Sequence, residues 1–285
     1  MPALLHSPYA IQKPPAGSQV DWGHPLTRGL VGAWFCLDPG NMMSFDSGPM
    51  ALHGVLTSVT HVTTEKNNPS WHFNGSSSLI SVANARLPNI PFNSQPGTWL
   101  VSFRTTSTAR QSIVFRGSSG SSRPSGGIYH DSFANSGPTF AGLDGSGNAI
   151  AISEGVMRND GKWHTLVACW DQSSGKVCNL YRNGALVVSG TTSKSWSFGA
   201  NDLRLGNSAD AFWGKFTGEI DKFLVWNRFL SASDVLWLYT EPYTMLRGPD
   251  VWRRYFPIGG PVGVNNAADG ATTTRSLTRH GARWQ

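Results

Sequence analysis

The sequence predicts an all-β protein: two antiparallel sheets packed as a β-sandwich of jelly-roll type, one short C-terminal helix, and extended arms at both ends. Three observations lead there. Charged residues fill only 14% of 285 positions, while glycine (32), phenylalanine (14) and tryptophan (12) abound, which suits short strands joined by tight turns and packed with rings. Turn signals recur about every 8–12 residues between apolar runs, the spacing of a sandwich. Strands do not alternate with helices, so no nucleotide-binding sheet is expected. A sandwich of roughly 200–250 residues can be one domain, and the expected division is an arm 1–27, a body 28–246 and an arm 247–285.

In chain order, residues 1–27 are proline-rich and carry neither the helical nor the strand period, so they read as an extended arm that needs something else to lie on. Residues 29–35 (GLVGAWF) are the first strand. At Asp46-Ser47-Gly48 the chain turns, with Asp46 placed to bond its own backbone two residues on. Residues 71–75 (WHFNG) and 78–82 (SLISV) read as two strands around an Asn-Gly turn, a strong hairpin signal. Strands at 98–104 and 112–115 follow. The Gly/Ser stretches 117–127 and 132–137 are loops of a length that is either mobile or binding. Strands at 139–143 and 149–153 flank Asp144-Gly145 as a hairpin. A second series, 165–170, 177–182 and 185–189, has Asn183-Gly184 at its last turn.

Residues 203–239 (LRLGNSADAFWGKFTGEIDKFLVWNRFLSASDVLWLY) close the body. A strand, a break at Gly206-Asn207, a strand over 212–216, a turn at Thr217-Gly218 and an apolar run 220–229 read as a β-meander. The period then changes. Leu230, Val235, Leu236, Leu238 and Tyr239 fall on one helix face, with Ser231 as N-cap and Asp234 in the capping-box position.

Taken together, WHFNGSSSLISV, DGKWHTLVACW, LYRNGALV and the 203–239 segment, with GLVGAWFCLDPG and FDSGPMALHGVL before them, resemble the laminin-G-like domains of the concanavalin A-like lectin/glucanase group. The resemblance covers about residues 29–239. It implies two sheets packed face to face, one of them concave. The continuation LYTEPYTM is similar to the ending of such domains in bacteriophage and prophage genomes, which implies a virion protein.

Glucanases of this fold use two glutamates with an aspartate between them on one strand. Alternation puts Glu219 and Asp221 on one face, but the next acid is Asp234, in the helix cap. A retaining glycosidase needs a second carboxylate about 5 Å from the first. No catalytic residue is therefore assigned, and the protein is expected not to be an enzyme. Histidines 53, 72, 130 and 164 form no metal or catalytic motif, and the loop 117–127 lacks the ending of a phosphate loop. Cys36, Cys169 and Cys178 have no metal-ligand spacing and read as buried free thiols.

No cofactor is expected beyond calcium, which the resemblance makes possible. Asp46, Asp144, Asn148, Asp210 and Asp221 supply the hard oxygens it takes, although the dense spacing of a dedicated loop is absent and turn capping is the preferred reading. A glycan platform would use aromatic rings near loops; the candidates are Tyr129, Phe133, Trp196 and Trp213.

Charge is concentrated at the end. Arg247, Arg253, Arg254, Arg275, Arg279 and Arg283 against Asp250 and Asp269 give residues 247–285 a charge of +4 out of the chain's +6. The near-neutral body argues against nucleic acid. A tail of this composition orders against a partner. The partners expected are thus other virion proteins and copies of the chain itself, reached through the arms. No basic-apolar leader opens the sequence and no apolar run of about 18 residues occurs, so a virion subunit assembled in a host cytoplasm is expected, with no membrane. The alternative is a lectin-like adhesin that holds a host-surface glycan.

Overall fold

The computed structural model describes residues 12–37, 40, 42–63, 68–84, 95–116, 126–131, 136–143, 149–172, 176–191, 201–208 and 213–248. The early strands are β1 (Gln19–Val20), β2 (Leu30–Phe35), β3 (Met43–Ser44), β4 (Gly54–Thr57), β5 (Thr60–Thr63), β6 (Pro69–Asn74) and β7 (Leu79–Val82). The middle of the chain gives β8 (Gly97–Arg104), β9 (Gln111–Arg116), β10 (Gly126–Asp131), β11 (Gly137–Leu143), β12 (Ala149–Ser153), β13 (His164–Asp171), β14 (Val177–Arg182) and β15 (Ala185–Thr191). Then come β16 (Leu203–Leu205), β17 (Gly214–Lys215), β18 (Thr217–Trp226), helix α1 (Ala232–Thr240) and β19 (Leu246–Arg247).

Two large sheets result. One runs β15-β14-β13-β8-β18-β6-β5, with β2 also on β18; the other runs β12-β11-β10-β9-β16-β7-β4-β3, with β17 also on β9. Apart from the parallel β17–β9 pair, the strands within them pair antiparallel. Between the sheets lies a core of buried rings, in which Trp99 meets Trp170 and Phe223 edge-on at centroid distances of 5.9 and 5.7 Å, and Phe140 stacks on Trp170 at 5.2 Å. Such contacts contribute about 0.5–1.5 kcal/mol each beyond area burial. An all-β sandwich with one α-helix among the described residues is the expected fold.

The hairpin reading at Asn183-Gly184 holds, and the strands on either side of Asp144-Gly145 pair as expected, the turn residues themselves lying outside the described residues. β11 pairs with β12, and β14 with β15. Asn183 and Gly184 both have positive φ, 51° and 80°, as a two-residue hairpin turn requires. Two other readings need correction. WHFNG–SLISV is no hairpin: β6 lies in one sheet and β7 in the other. Asn74 Oδ1 accepts from the backbone N–H of Ser76, Ser77 and Ser78, so the side chain bends the chain across the sandwich. Nor do residues 203–226 form a meander, since β16 and β18 also sit in opposite sheets. Both segments alternate correctly, but period 2 does not say which sheet a strand joins.

The outer face of the β18 sheet carries a second apolar layer. Leu224 and Trp226 of β18 point there, beneath Val20, Leu26, Val235 and Leu238. α1 begins with the expected capping box: Asp234 N–H donates to Ser231 Oγ (3.2 Å) and Ser231 N–H to Asp234 Oδ2 (3.2 Å). Its buried stripe is narrower than expected, Val235 and Leu238 being buried while Leu236 and Tyr239 are exposed. The arm reading of residues 1–27 is corrected for residues 12–27. That segment lies on its own body: β1 pairs with β19, and the Trp226 indole donates to Leu26 O at 2.7 Å. Residues 1–11 and 249–285 lie outside the described residues.

Candidate functional site

β18 is flanked by β8 on one side and by β6 and then β2 on the other. Its pairing with β8 slips between Ile220 and Lys222. Ile220 and Phe223 both remain in the inter-sheet core, so the extra residue of this bulge turns Asp221 and Lys222 together toward the outer face. Asp221 is there enclosed by three groups from distant parts of the chain. Oδ1 accepts from Lys13 Nζ, while Oδ2 accepts from Tyr243 Oη (2.9 Å) and Lys222 Nζ (3.1 Å). Lys13 also donates to Pro69 O, and the Lys222 ammonium lies 4.6 Å from the Tyr243 ring centroid. Burial alone would raise the Asp221 carboxyl, but Lys13 and Lys222 beside it hold it well below the ordinary carboxylate range.

Beside this cluster opens a cleft of about 190 Å³, lined by Asn68, Ser70, Ser102, Trp163, Asp221, Pro242 and Tyr243. Trp163 forms one wall. It precedes β13 on the phase that faces outward, and the Arg104 guanidinium covers its ring at 5.3 Å. Arg104 is fixed by Glu219 (2.6 Å), which also accepts from Ser70 Oγ (2.8 Å). One aromatic wall facing short hydroxyl and amide side chains can hold a polyol ring. Asp221, kept ionised, can accept a hydrogen bond from a hydroxyl but cannot act as a proton donor. A larger cleft of about 250 Å³ lies near β3, between Phe35, Met43, Phe45 and Trp71. Among the described residues its hydroxyl groups come from Ser18, Ser44 and Ser47, with no amide or carboxylate side chain, so it offers fewer orienting groups than the Trp163 cleft.

The residues nominated from sequence fall elsewhere. Tyr129 and Trp213 are not an open platform: both are buried and stack on each other at 4.1 Å, with Arg110 over the Trp213 ring. They are closed off because the rings complete an outer cluster with Phe115 and Ala141. Phe133 and Trp196 lie outside the described residues, as do Asp144, Asn148 and Asp210. The Asp46 oxygens are occupied by backbone N–H groups of Ala33 (2.6 Å), Gly48 (2.7 Å) and Leu52 (2.8 Å), the turn-capping arrangement, and those of Asp221 by two lysines and a tyrosine. Among the described residues no group of three or more His, Cys, Asp or Glu is arranged to hold a metal. Cys169 points to the outer layer and Cys178 to the inner core, and all three cysteines are buried and outside any disulfide. Arg247 lies in β19 opposite Gln19; Arg253, Arg254, Arg275, Arg279 and Arg283 are outside the described residues.

Sequence reasoning missed Trp163 and Lys13. Trp163 was legible by alternation, since it shares the phase of Val167 and Cys169, which also face outward. Lys13 carried no signal within its proline-rich segment.

A family model of the laminin G type, described as the concanavalin A-like lectin/glucanases superfamily, matches residues 74–236, more than half of the chain. The chain belongs to this superfamily. No curated protein sequence matches it. Among solved structures, the binding domain of Paraclostridial Mosquitocidal Protein 1 aligns with TM-score 0.58 at 16% identity, over 76% of this chain and 53% of that one. Domain 4 of AbnA, a GH43 arabinanase from Geobacillus stearothermophilus solved with arabinotriose, gives 0.51 at 18%, over 73% and 96%. Trypanosoma rangeli sialidase with sialic acid gives 0.53 at 16%, over 75% and 33%. The chain thus spans about half the length of the toxin domain and a third of the sialidase. At these identities the likeness is one of fold.

Proposed function

We propose that this superfamily member is a non-catalytic, lectin-like protein that binds carbohydrate in the Trp163 cleft. The observation that carries this reading is the single indole wall set against Asn68, Ser70 and Ser102. The cleft is smaller than the roughly 300–1,000 Å³ of drug-sized sites, which suits one sugar ring with the rest of a glycan outside. A domain of similar fold solved with arabinotriose adds support. The ion pairs of Glu219 and Asp221 support the non-catalytic part of this reading. The test is a glycan array followed by titration with Trp163→Ala. Loss of a stacking partner worth about 0.5–1.5 kcal/mol, with the apolar area it contributes, should weaken binding roughly tenfold. A wild type that retains no glycan, or a variant that binds like wild type, refutes the reading.

The same body fits a second role as a virion subunit, on capsid or tail, joined to virion proteins and to its own copies by its terminal segments and assembled in the host cytoplasm. The charge of residues 247–285 favours it. The EPYTM segment has a structural use as well: Tyr243 binds Asp221, and Met245 O accepts from Asp21 N–H at 2.7 Å. Incorporation of truncated chains into particles tests this role.

A further inference from the structure

Residues 154–163 connect β12 of one sheet to β13 of the other and carry Trp163 at their end. Two buried histidines hold this connection. His130, on β10, is 0% exposed, and its Nε2 accepts the backbone N–H of Arg158 at 3.0 Å. His164, on β13, meets Asp160 Oδ1 through Nε2 at 2.9 Å. Both rings lie against Phe103 of β8, at 6.3 and 6.0 Å. Within the same connection Glu154 accepts from Arg158 and from Arg182 of β14.

The two grips differ in what a proton does to them. Accepting from Arg158 fixes His130 as the tautomer with its proton on Nδ1, so an acidic proton must go to Nε2, where the Arg158 N–H already points. Two donors then face each other and the bond is lost. His130 Nδ1 has no hydrogen-bond partner among the described residues, so the imidazolium would hold two buried, unanswered N–H groups. His164 instead faces a carboxylate through Nε2, an acceptor that an N–H on that nitrogen does not oppose. Only one of the grips is undone by acid.

We infer that His130 is an acid-released latch on residues 154–158, and that its release loosens the approach to Trp163, while the His164–Asp160 grip nearer the ring stays closed, and so weakens ligand binding in the cleft; this last step rests on the proposed carbohydrate site. The charged and titratable groups around His130 are His164 on β13, Asp131 beside it on β10 (paired with Arg110), and Glu154, Arg158 and Asp160 in the connection, with Arg182 on Glu154. Burial, then His164, lowers the His130 pKa to about 4 against the opposing pull of the Arg158 backbone, Asp131 and Glu154. Loss of that shielding in the opened connection returns it to about 6.5.

The test is hydrogen exchange of the full chain at pH 7 and pH 4.5, corrected for intrinsic rates, on wild type and His130→Gln. A pKa of about 4 closed and 6.5 open makes the open population of residues 154–158 rise by roughly 50-fold between these pH values, while β8 stays protected. Gln supplies an acceptor that does not titrate, so the variant should show no such rise. Equal opening of the wild type at both pH values, or the same rise in the variant, overturns the latch. Should the variant not fold, the wild-type His130 ring resonance decides: titration near 6.5 with the connection still protected also overturns it. Glycan titration at both pH values is the separate arm. Binding lost at pH 4.5 in wild type only supports the coupling, and unchanged wild-type binding despite opening refutes it. If no glycan binds at any pH, the carbohydrate reading fails while the exchange result still decides the latch.

Discussion

Replacing Asp221 by Asn is the most direct trial of how the terminal segments are held. In the wild type one carboxylate answers two ammonium groups, Lys13 and Lys222, whose side chains are 2% and 4% exposed. The amide keeps the shape but leaves two buried cations facing each other with no counter-charge. Removing one partner of a buried pair costs about 3–5 kcal/mol, because the remaining charge is uncompensated. Lys13→Met should cost less. It removes the contact to Pro69 O but leaves Asp221 and Lys222 as a neutral pair. Urea denaturation followed by fluorescence reads both variants as midpoint shifts at constant slope. The reasoning is refuted if Asp221→Asn costs under about 1 kcal/mol, or less than Lys13→Met. The sign with pH also follows. A carboxylate held below its ordinary value contributes stability above pH 3.8, lost only as pH falls through the lower folded value. The Asp221 clamp should therefore outlast the His130 latch on acidification.

Ser231→Ala removes the oxygen that accepts the Asp234 N–H and should lower stability by about 1 kcal/mol, seen as an earlier denaturation midpoint; an unchanged midpoint would show that the cap carries no energy. A chain ending at Pro249 should keep the wild-type denaturation midpoint, since residues 1–249 form a compact unit of their own. It should be lost from particles if the basic segment attaches it, and its normal incorporation would exclude that role.

Much of the sandwich was legible because its signals are local. Asn183-Gly184 demands positive φ at both positions, and the chain provides it there. Ser231 and Asp234 lie one helical turn apart and cap each other whatever surrounds them. The Asn74 turn shows the limit: its side chain folds the backbone sharply, but whether the next strand stays in the same sheet depends on what β7 can pair with. The candidate site was less legible. Tyr129 and Trp213 sit beside loops in the sequence and yet stack out of reach, because an outer cluster encloses them. Trp163 had the correct phase, but phase says nothing of the Arg104–Glu219 pair that shapes its wall.

The sequence by itself determined the fold class, the Asn183-Gly184 hairpin and the helix with its cap, since each rests on local spacing or composition. Only the tertiary structure decided that Lys13, Asp221, Lys222 and Tyr243 meet. They are separated by up to 230 positions (Lys13 to Tyr243), and a bulge turns two successive residues of β18 to one face. A one-residue slip of register has no signature in a chain read by period 2. It is that slip which places a carboxylate under the cleft and ties both ends of the body to it.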